Sequence, residues 1–411
     1  MNNRTSLYNT KIQSNWRVIV ACALGIGVGV MALPYSTIGL FITSLESEFG
    51  WTRAEISLGA TILLGIVTLL SPLSGWLADR YRATTLIFGS LVAQSICFVF
   101  LSKMSSDILW MYLTFAIMAT FSIGASTIVF ARIVCTNFFE NRGLALGIVM
   151  TGNGVTAALS PHTLGKIINA HGWSAGYLAL SALSITALLL ILWLLRGHVT
   201  TSQQQDTSQP VAGGAPLSEA VRRSDFWLMG IAFFLGTLAT TGMVVHLLPY
   251  LSDLNMEIES ALKISSLIGI GLIGARLITG WLLDRFEAKL VAAVMMGLSA
   301  CGLFILSTGQ PGAAIFGALA VGLCIGAELD IIGYLTAQHF GLAHYGRIYG
   351  VLYMLCAGGT AMSPLYYGVM HDFAGSYNSS ILYSGGFLVI AGLLLLILPP
   401  ARRLQQNTVA T

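Results

Sequence analysis

Three ionisable residues stand inside long apolar runs, where a charge is expensive and is usually kept for function. Arg276 lies within LIGIGLIGARLITGW, and Glu328 and Asp330 lie within AVGLCIGAELDIIGYL. A guanidinium stays charged at any relevant pH and offers a planar fork to a carboxylate. Arg276 therefore predicts either a binding point for an anionic group or a structural ion pair with Glu328 or Asp330. Glu328 and Asp330 are two residues apart, so on a helix they point to nearly opposite sides and only one can face a given cavity. Tyr334 and Gln338 continue the Asp330 face at helical spacing, which makes Asp330 the expected cavity group and Glu328 the expected interhelical one. Either carboxyl could exchange a proton when an anion competes for Arg276.

Weaker candidates surround these. His246 in GMVVHLLPYL could touch a substrate or shuttle protons near neutral pH, or simply bond two helices together. Arg132 ends a long apolar run and reads as a second basic group near a cavity or as an anchor at the membrane face. Asn153 and Tyr334 are candidate polar liners, and Tyr35, Tyr353 and Tyr366 line a pathway or pack. Nothing predicts catalysis: no phosphate-cradling glycine loop is present, no metal-ligand spacing occurs, and no serine or threonine has a matching His and acid nearby. The six cysteines fall singly in apolar runs and read as small buried hydrophobes. No cofactor, metal or nucleic-acid partner is expected.

The elements that hold these residues follow from composition. Of 411 residues, 55% are hydrophobic and only 9% charged, with mean hydropathy +0.79. A water-facing surface of this size needs about a quarter charged residues, so the solvent must be lipid. Segments long enough to cross as helix stand at 18–42, 55–77, 84–102, 108–133, 143–168 and 174–195. Six more stand at 226–251, 262–283, 289–307, 312–338, 347–370 and 378–399. The polar stretch 197–224 contains TTSQQQDTSQP and GGAP, a linker composition. The expected organisation is a tail over 1–17, a six-helix bundle over 18–196, the linker, a second bundle over 225–400 and a tail over 401–411. With the N-terminus inside, only Arg53, Lys103, Lys166 and Lys263 fall in outer segments. Arg276 lies in a span, and the other fifteen of the 20 Lys and Arg lie in inner ones. The positive-inside rule then puts both termini in the cytoplasm of a multi-pass protein, most simply in a bacterial inner membrane.

The two halves repeat. Gly75-Trp-Leu-Ala-Asp79-Arg80-Tyr81 after the second span recurs as Gly280-Trp-Leu-Leu-Asp284-Arg285-Phe286 after the eighth. Arg142 with Gly147 is echoed by Arg347 with Gly350, and Ser160-Pro161 by Ser363-Pro364. Parallel six-helix repeats are the build of alternating-access transporters.

Carrying these motifs, the chain resembles the major facilitator superfamily, which implies an all-α fold of twelve transmembrane helices in two pseudo-symmetric bundles. The resemblance implies that Asp79, Arg80, Asp284 and Arg285 act as gating residues at the cytoplasmic side, and that a monomer functions. Segments GLFITSLESEFGWTRAEIS, LSEAVRRSDFWLM and FFENRGLALGIVMTGNG are similar to the monocarboxylate-porter and oxalate/formate-antiporter branch. In that branch Arg276 matches an arginine that binds the substrate carboxylate. An aspartate one turn earlier is replaced here by Leu272, which moves any proton site elsewhere. The fifth span shows TGNGVTAALSP in place of the Gly-Pro…Gly-Gly pattern of drug/proton antiporters.

The expected function is proton-coupled symport of a small organic anion, a monocarboxylate, with Arg276, Tyr334, Asn153, His246 and Arg132 at the substrate and Asp330 and Glu328 carrying the proton. The alternative is antiport, either anion exchange such as oxalate for formate or proton-driven drug efflux. A receptor that keeps the transporter fold would need a soluble extension, and an integral membrane enzyme would need a catalytic cluster; the sequence offers neither.

Overall fold

Thr52 opens the second span with a reciprocal cap. Its Oγ1 accepts from the Glu55 backbone N–H at 3.2 Å, and the Glu55 carboxylate accepts from the Thr52 N–H at 2.8 Å. Gly50 (φ 71°) and Gly375 (φ 69°) end helices in the left-handed conformation that glycine adopts without strain. The computed structural model describes residues 16–138, 142–196, 216–283, 285–310, 312–341 and 344–399. Both tails and nearly all of the linker lie outside them.

Within the described residues the regular structure is helical: α1 (Trp16–Val28), α2 (Leu33–Ile38), α3 (Ile42–Phe49), α4 (Arg53–Arg80), α5 (Ala83–Ser102), α6 (Ile108–Phe121), α7 (Thr127–Asn137), α8 (Arg142–Leu195), the short α9 (Leu217–Ala220), α10 (Ser224–Asp253), α11 (Ile258–Leu283), α12 (Ala288–Leu306), α13 (Ala313–Phe340), α14 (Tyr345–Ala374) and α15 (Asn378–Leu396). Nine of these are long and apolar enough to cross a membrane. One, α8, is two spans joined at Gly172, whose φ of 82° breaks the helix. Two further spans are built from pieces, α1 to α3 and α6 to α7, so the twelve crossings expected from the sequence are accounted for.

The first and fourth spans differ from the uninterrupted helices expected over 18–42 and 108–133. The first breaks after Val28, and the fourth breaks at Ser122, where a 3-10 turn spans Ile123–Ala125. Interrupted backbone at membrane depth is tolerated only where its carbonyls find partners. Here Thr156 donates to Gly27 O (2.7 Å) and Gln94 to Val28 O (2.8 Å), while Ser90 donates to Phe121 O (3.1 Å) and Ser74 to Ile123 O (3.3 Å). The two breaks lie against each other: any Cβ at Gly29 would run into the Ala125 carbonyl.

In the first half α1 and α5 pack on α8, and α4 on α6. In the second, α11 packs on α13, α10 on α14, and α12 on α13 and α15. The halves meet through α4 against α14 and through the first part of α8 against α11. Close backbone approach makes that seam possible. A Cβ at Gly269 would strike the backbone of Ala158 and Gly154, and one at Gly368 would come within 2.8 Å of Ala54 and 2.9 Å of Arg53 backbone atoms. Toward the other end, Gly75, Gly147, Gly280 and Gly350 have no neighbour within reach of a Cβ. These close approaches join the halves toward the Arg53 end.

Candidate substrate cavity and its closed end

A cavity of about 150 Å³ lies between the halves. The first half lines it with Met31, Tyr35, Thr127, Met150 and Asn153, so the residues flanking both helix breaks reach it. The second half contributes Thr237, Thr241, Leu272, Arg276, Glu328 and Tyr353, among others. A cavity of this volume accepts a benzene-sized molecule. Most of its wall is apolar, with a few polar groups that can fix orientation, the usual make-up of a small-molecule site.

Three buried polar atoms on this wall have no hydrogen-bond partner: Arg276 Nε, Glu328 Oε1 and Asn153 Oδ1. Unsatisfied buried groups are uncommon because each costs about 1–3 kcal/mol. All three belong to residues of the cavity wall, where a small rotation of the side chain would offer them to a ligand. The Arg276 side chain is 11% exposed, and its Nη1 lies 4.0 Å from Asp330 Oδ1, at the outer limit of an ion pair. Its fork is loosely held and leaves room for a competitor.

The two carboxyl groups exchange the positions expected from helical spacing. Glu328 is the cavity liner, 5% exposed, with the Cys356 thiol beside it. Asp330 is outside this cavity, its side chain 37% exposed and its Oδ1 4.0 Å from Arg276 Nη1. The polar stripe Asp330–Tyr334–Gln338 suggested the opposite, but α13 is turned so that Ile325, Glu328 and Leu329 line the cavity. Tyr334 follows Asp330 outward at 41% exposure and does not line this cavity. Arg132 is half-buried on α7 and lies outside it as well.

His246 is also placed elsewhere. It is fully buried at the seam, with Nε2 2.9 Å from the Pro364 carbonyl and 3.0 Å from Ser57 Oγ, and Nδ1 2.8 Å from the Tyr377 hydroxyl. The carbonyl can only accept, so Nε2 carries the hydrogen and Nδ1 of the neutral ring accepts from Tyr377. It ties α10 to α14, α15 and α4 instead of touching the cavity.

The closed end is built from charges that sequence reading passed over as ordinary loop residues. Arg53 at the start of α4 makes two parallel bonds to Asp253 at the end of α10, 2.5 and 2.6 Å, and a third to Glu46 at 3.1 Å. Its guanidinium also lies over the Tyr377 ring, 5.4 Å from the centroid. Asp372 on α14 accepts from the Ala54 backbone N–H at 2.9 Å, placing a carboxylate on the N-terminus of α4, and His371 comes within 3.5 Å of Asp253. Deeper along the seam the Tyr35 hydroxyl donates to the Thr241 carbonyl. The clue in the sequence was the capping box itself, which puts Arg53 on the first turn of a helix facing the partner half.

At the Arg80 end the repeat is reproduced by side chains. Arg80 lies 5.4 Å over Trp76, and Arg285 lies 4.0 Å over Trp281, each on the tryptophan four residues earlier. The Asp79 side chain and all of Asp284 lie outside the described residues. Among the described residues no cluster of His, Cys, Asp and Glu could hold a metal ion.

Comparison with known proteins agrees with this architecture. The Major Facilitator Superfamily sequence model matches residues 24–364 and 264–410. Monocarboxylate transporter 11 of Homo sapiens is 26% identical over 412 residues, which cover 94% of this chain and 83% of that protein. Monocarboxylate transporter 13 of Bos taurus is 26% identical over 378 residues, covering 88% and 84%. An agnestins efflux protein of Paecilomyces divaricatus is 24% identical, covering 79% and 73%. Among solved structures, the nucleoside transporter NupG superposes with a TM-score of 0.75 at 14% identity, covering 93% of this chain and 99% of that one. A bacterial homolog of the lysosomal transporter Spinster, inward-facing and unoccupied, gives 0.72 at 16%, covering 93% and 96%. These likenesses to solved structures concern the fold. The match to the superfamily's sequence model places the chain in the major facilitator superfamily, as a transporter similar to the monocarboxylate transporters.

Proposed function

We propose that this transporter carries a small organic anion, a monocarboxylate, across the cytoplasmic membrane by alternating access, with a proton travelling in the same direction. The observation that carries the reading is Arg276: a buried guanidinium on the wall of the central cavity with Nε unpartnered and only a 4.0 Å contact to Asp330. A substrate carboxylate offers it the bidentate geometry that Asp330 does not.

Charge balance supports proton coupling. With both carboxyls ionised, Arg276, Asp330 and Glu328 sum to one negative charge, and a second anion entering a low-dielectric cavity would be repelled. Protonation of Asp330 or Glu328 removes that repulsion, and protonation of Asp330 also releases Arg276 to the substrate. Leu272, on the cavity wall, occupies the position at which the monocarboxylate branch often keeps an aspartate, so the proton falls to α13.

The distribution of Lys and Arg supports an orientation in which the Arg53 end faces outward and the termini face the cytoplasm. In this reading the arrangement described is open inward, and Asp79, Arg80, Asp284 and Arg285 act as the gate on the cytoplasmic side. A single chain contains every group this scheme uses.

The test is uptake into proteoliposomes of lactate, pyruvate, oxalate and benzoate, with and without an outside-acid pH gradient, beside Arg276→Gln. Gradient-driven accumulation of an acid, lost in the variant, is the expected result. Uptake only into vesicles preloaded with a second anion would replace symport by exchange, and normal transport by Arg276→Gln would remove the site.

A further inference from the structure

His371, in the last turn of α14, stands at the closed end with a carboxylate before each ring nitrogen. Nε2 is 3.5 Å from Asp253 Oδ2, and Nδ1 is 3.4 Å from Asp372 Oδ1. The ring packs against Tyr377 with 4.5 Å between centroids, and Arg53 lies over the same tyrosine. Both carboxylates are committed to the other half while this end is shut. Asp253 takes its shorter bonds from Arg53, 2.5 and 2.6 Å, the first on the oxygen that His371 also approaches. Asp372 takes the Ala54 N–H at 2.9 Å.

Opening this end divides the cluster unequally. Arg53 leaves with Glu46, its 3.1 Å partner in the first half, and stays balanced. Asp253 and Asp372 remain together on the second half, having lost a guanidinium and a helix N-terminus at once. The other titratable groups here bring no charge, since Tyr377 donates to the neutral ring of His246. His371 lies between the two carboxylates, and its protonation state decides how well it serves them. A neutral imidazole has one N–H and one lone pair, so it satisfies one carboxylate and repels the other. The imidazolium has a positive charge and an N–H on each nitrogen, one for Asp253 and one for Asp372. In the shut gate the same proton would share an Asp253 oxygen with Arg53, and the two cations repel.

We infer that His371 is a proton-binding site that sets this gate: the neutral ring belongs to the shut arrangement and the imidazolium to the open one, so acid at the Arg53 end opens it. The proton arrives from the solution at that end and returns there on closure, so it is not carried across. This goes beyond the substrate reading and uses neither Arg276 nor the carboxyls of α13.

The test reads the gate itself, on the purified full chain in detergent without substrate, from distances between spin labels on Ser106 and Ser252. Lowering the pH from about 8 to about 5.5, the range in which histidine changes charge, should raise the open population at least about fivefold, as is usual for coupled sites. His371→Gln should keep the alkaline population at every pH. His371→Arg, a permanent cation, should hold the gate open at alkaline pH. If His371→Gln does not fold, Asp372→Asn removes one of the two acceptors and should at least halve the acid response. An open population that ignores pH in the unaltered chain, a shift toward closure in acid, or an undiminished acid response in these neutral variants overturns the inference. With no substrate and no gradient present, each outcome stands apart from the uptake assay on Arg276→Gln.

Discussion

Arg53 and Asp253, 200 residues apart in sequence, face each other across the two halves in a two-pronged pair of 2.5 and 2.6 Å. The arginine is almost wholly enclosed and the aspartate about one-third exposed. Such a pair can exist only while this end is shut, so it contributes to one state of the transport cycle and to nothing in the other. Losing one partner of a hydrogen-bonded interface charge pair costs about 2 kcal/mol or more, which is roughly a 30-fold change in the ratio of states. Arg53→Gln should shift the protein toward opening at this end, seen as greater separation of spin labels placed on Ser252 and Ser106. The exchange Arg53→Asp with Asp253→Arg should recover part of the closed population, and unchanged label distances in the single variant would remove Arg53 from the gate.

The seam below that gate depends on backbone contact. Gly269 meets Ala158 and Gly154 so closely that a side chain there has no space, whereas Gly280 on the same helix faces open space. Gly269→Val should hold α8 and α11 apart, cost about 1–3 kcal/mol from overpacking and lower the unfolding temperature in detergent. Gly280→Ala should leave that temperature within a degree or two.

Much of this architecture was legible beforehand, and the reasons differ between levels. Hydrophobic length located the spans, and the GWLAD and GWLLD motifs revealed the repeat because both are local patterns. The breaks at Val28 and Ser122 were not legible, since their carbonyls are satisfied by Gln94, Thr156, Ser90 and Ser74 from other helices. The roles of Glu328 and Asp330 were read from the polar character of one α13 face. The rotation of that helix against the rest is a tertiary property, and it reversed their positions. Arg53 was counted only as an outer charge, because its partner is on the other half.

His246 was read either as a substrate contact or as a bond between helices, and it bridges Pro364, Ser57 and Tyr377. His246→Phe fills a similar volume but strips these bonds and leaves the Tyr377 hydroxyl and Ser57 Oγ short of a partner, at about 1–3 kcal/mol. Its effect should fall on stability and on maximal rate through the seam, with KM for the transported acid within about twofold of the parent. A large rise in KM alone would return His246 to the substrate.

The competition between Asp330 and substrate for Arg276 has a definite sign. In the parent, raising the pH ionises Asp330 and strengthens its hold on Arg276, so acid uptake should fall as pH rises. Asp330→Asn cannot ionise, so its Arg276 is free at every pH. Affinity should then rise at alkaline pH and the pH dependence of uptake should flatten, while a proton gradient loses most of its power to concentrate the acid. Glu328→Gln separates the two carboxyls: if gradient-driven accumulation persists in Asp330→Asn and disappears in Glu328→Gln, the proton rides on Glu328 and the Asp330 contact is a positional restraint on the arginine. Arg276→Lys keeps the positive charge but loses the fork, so it should retain weak, pH-sensitive uptake with KM raised about tenfold or more, measured as initial rates over a concentration series in the same vesicles.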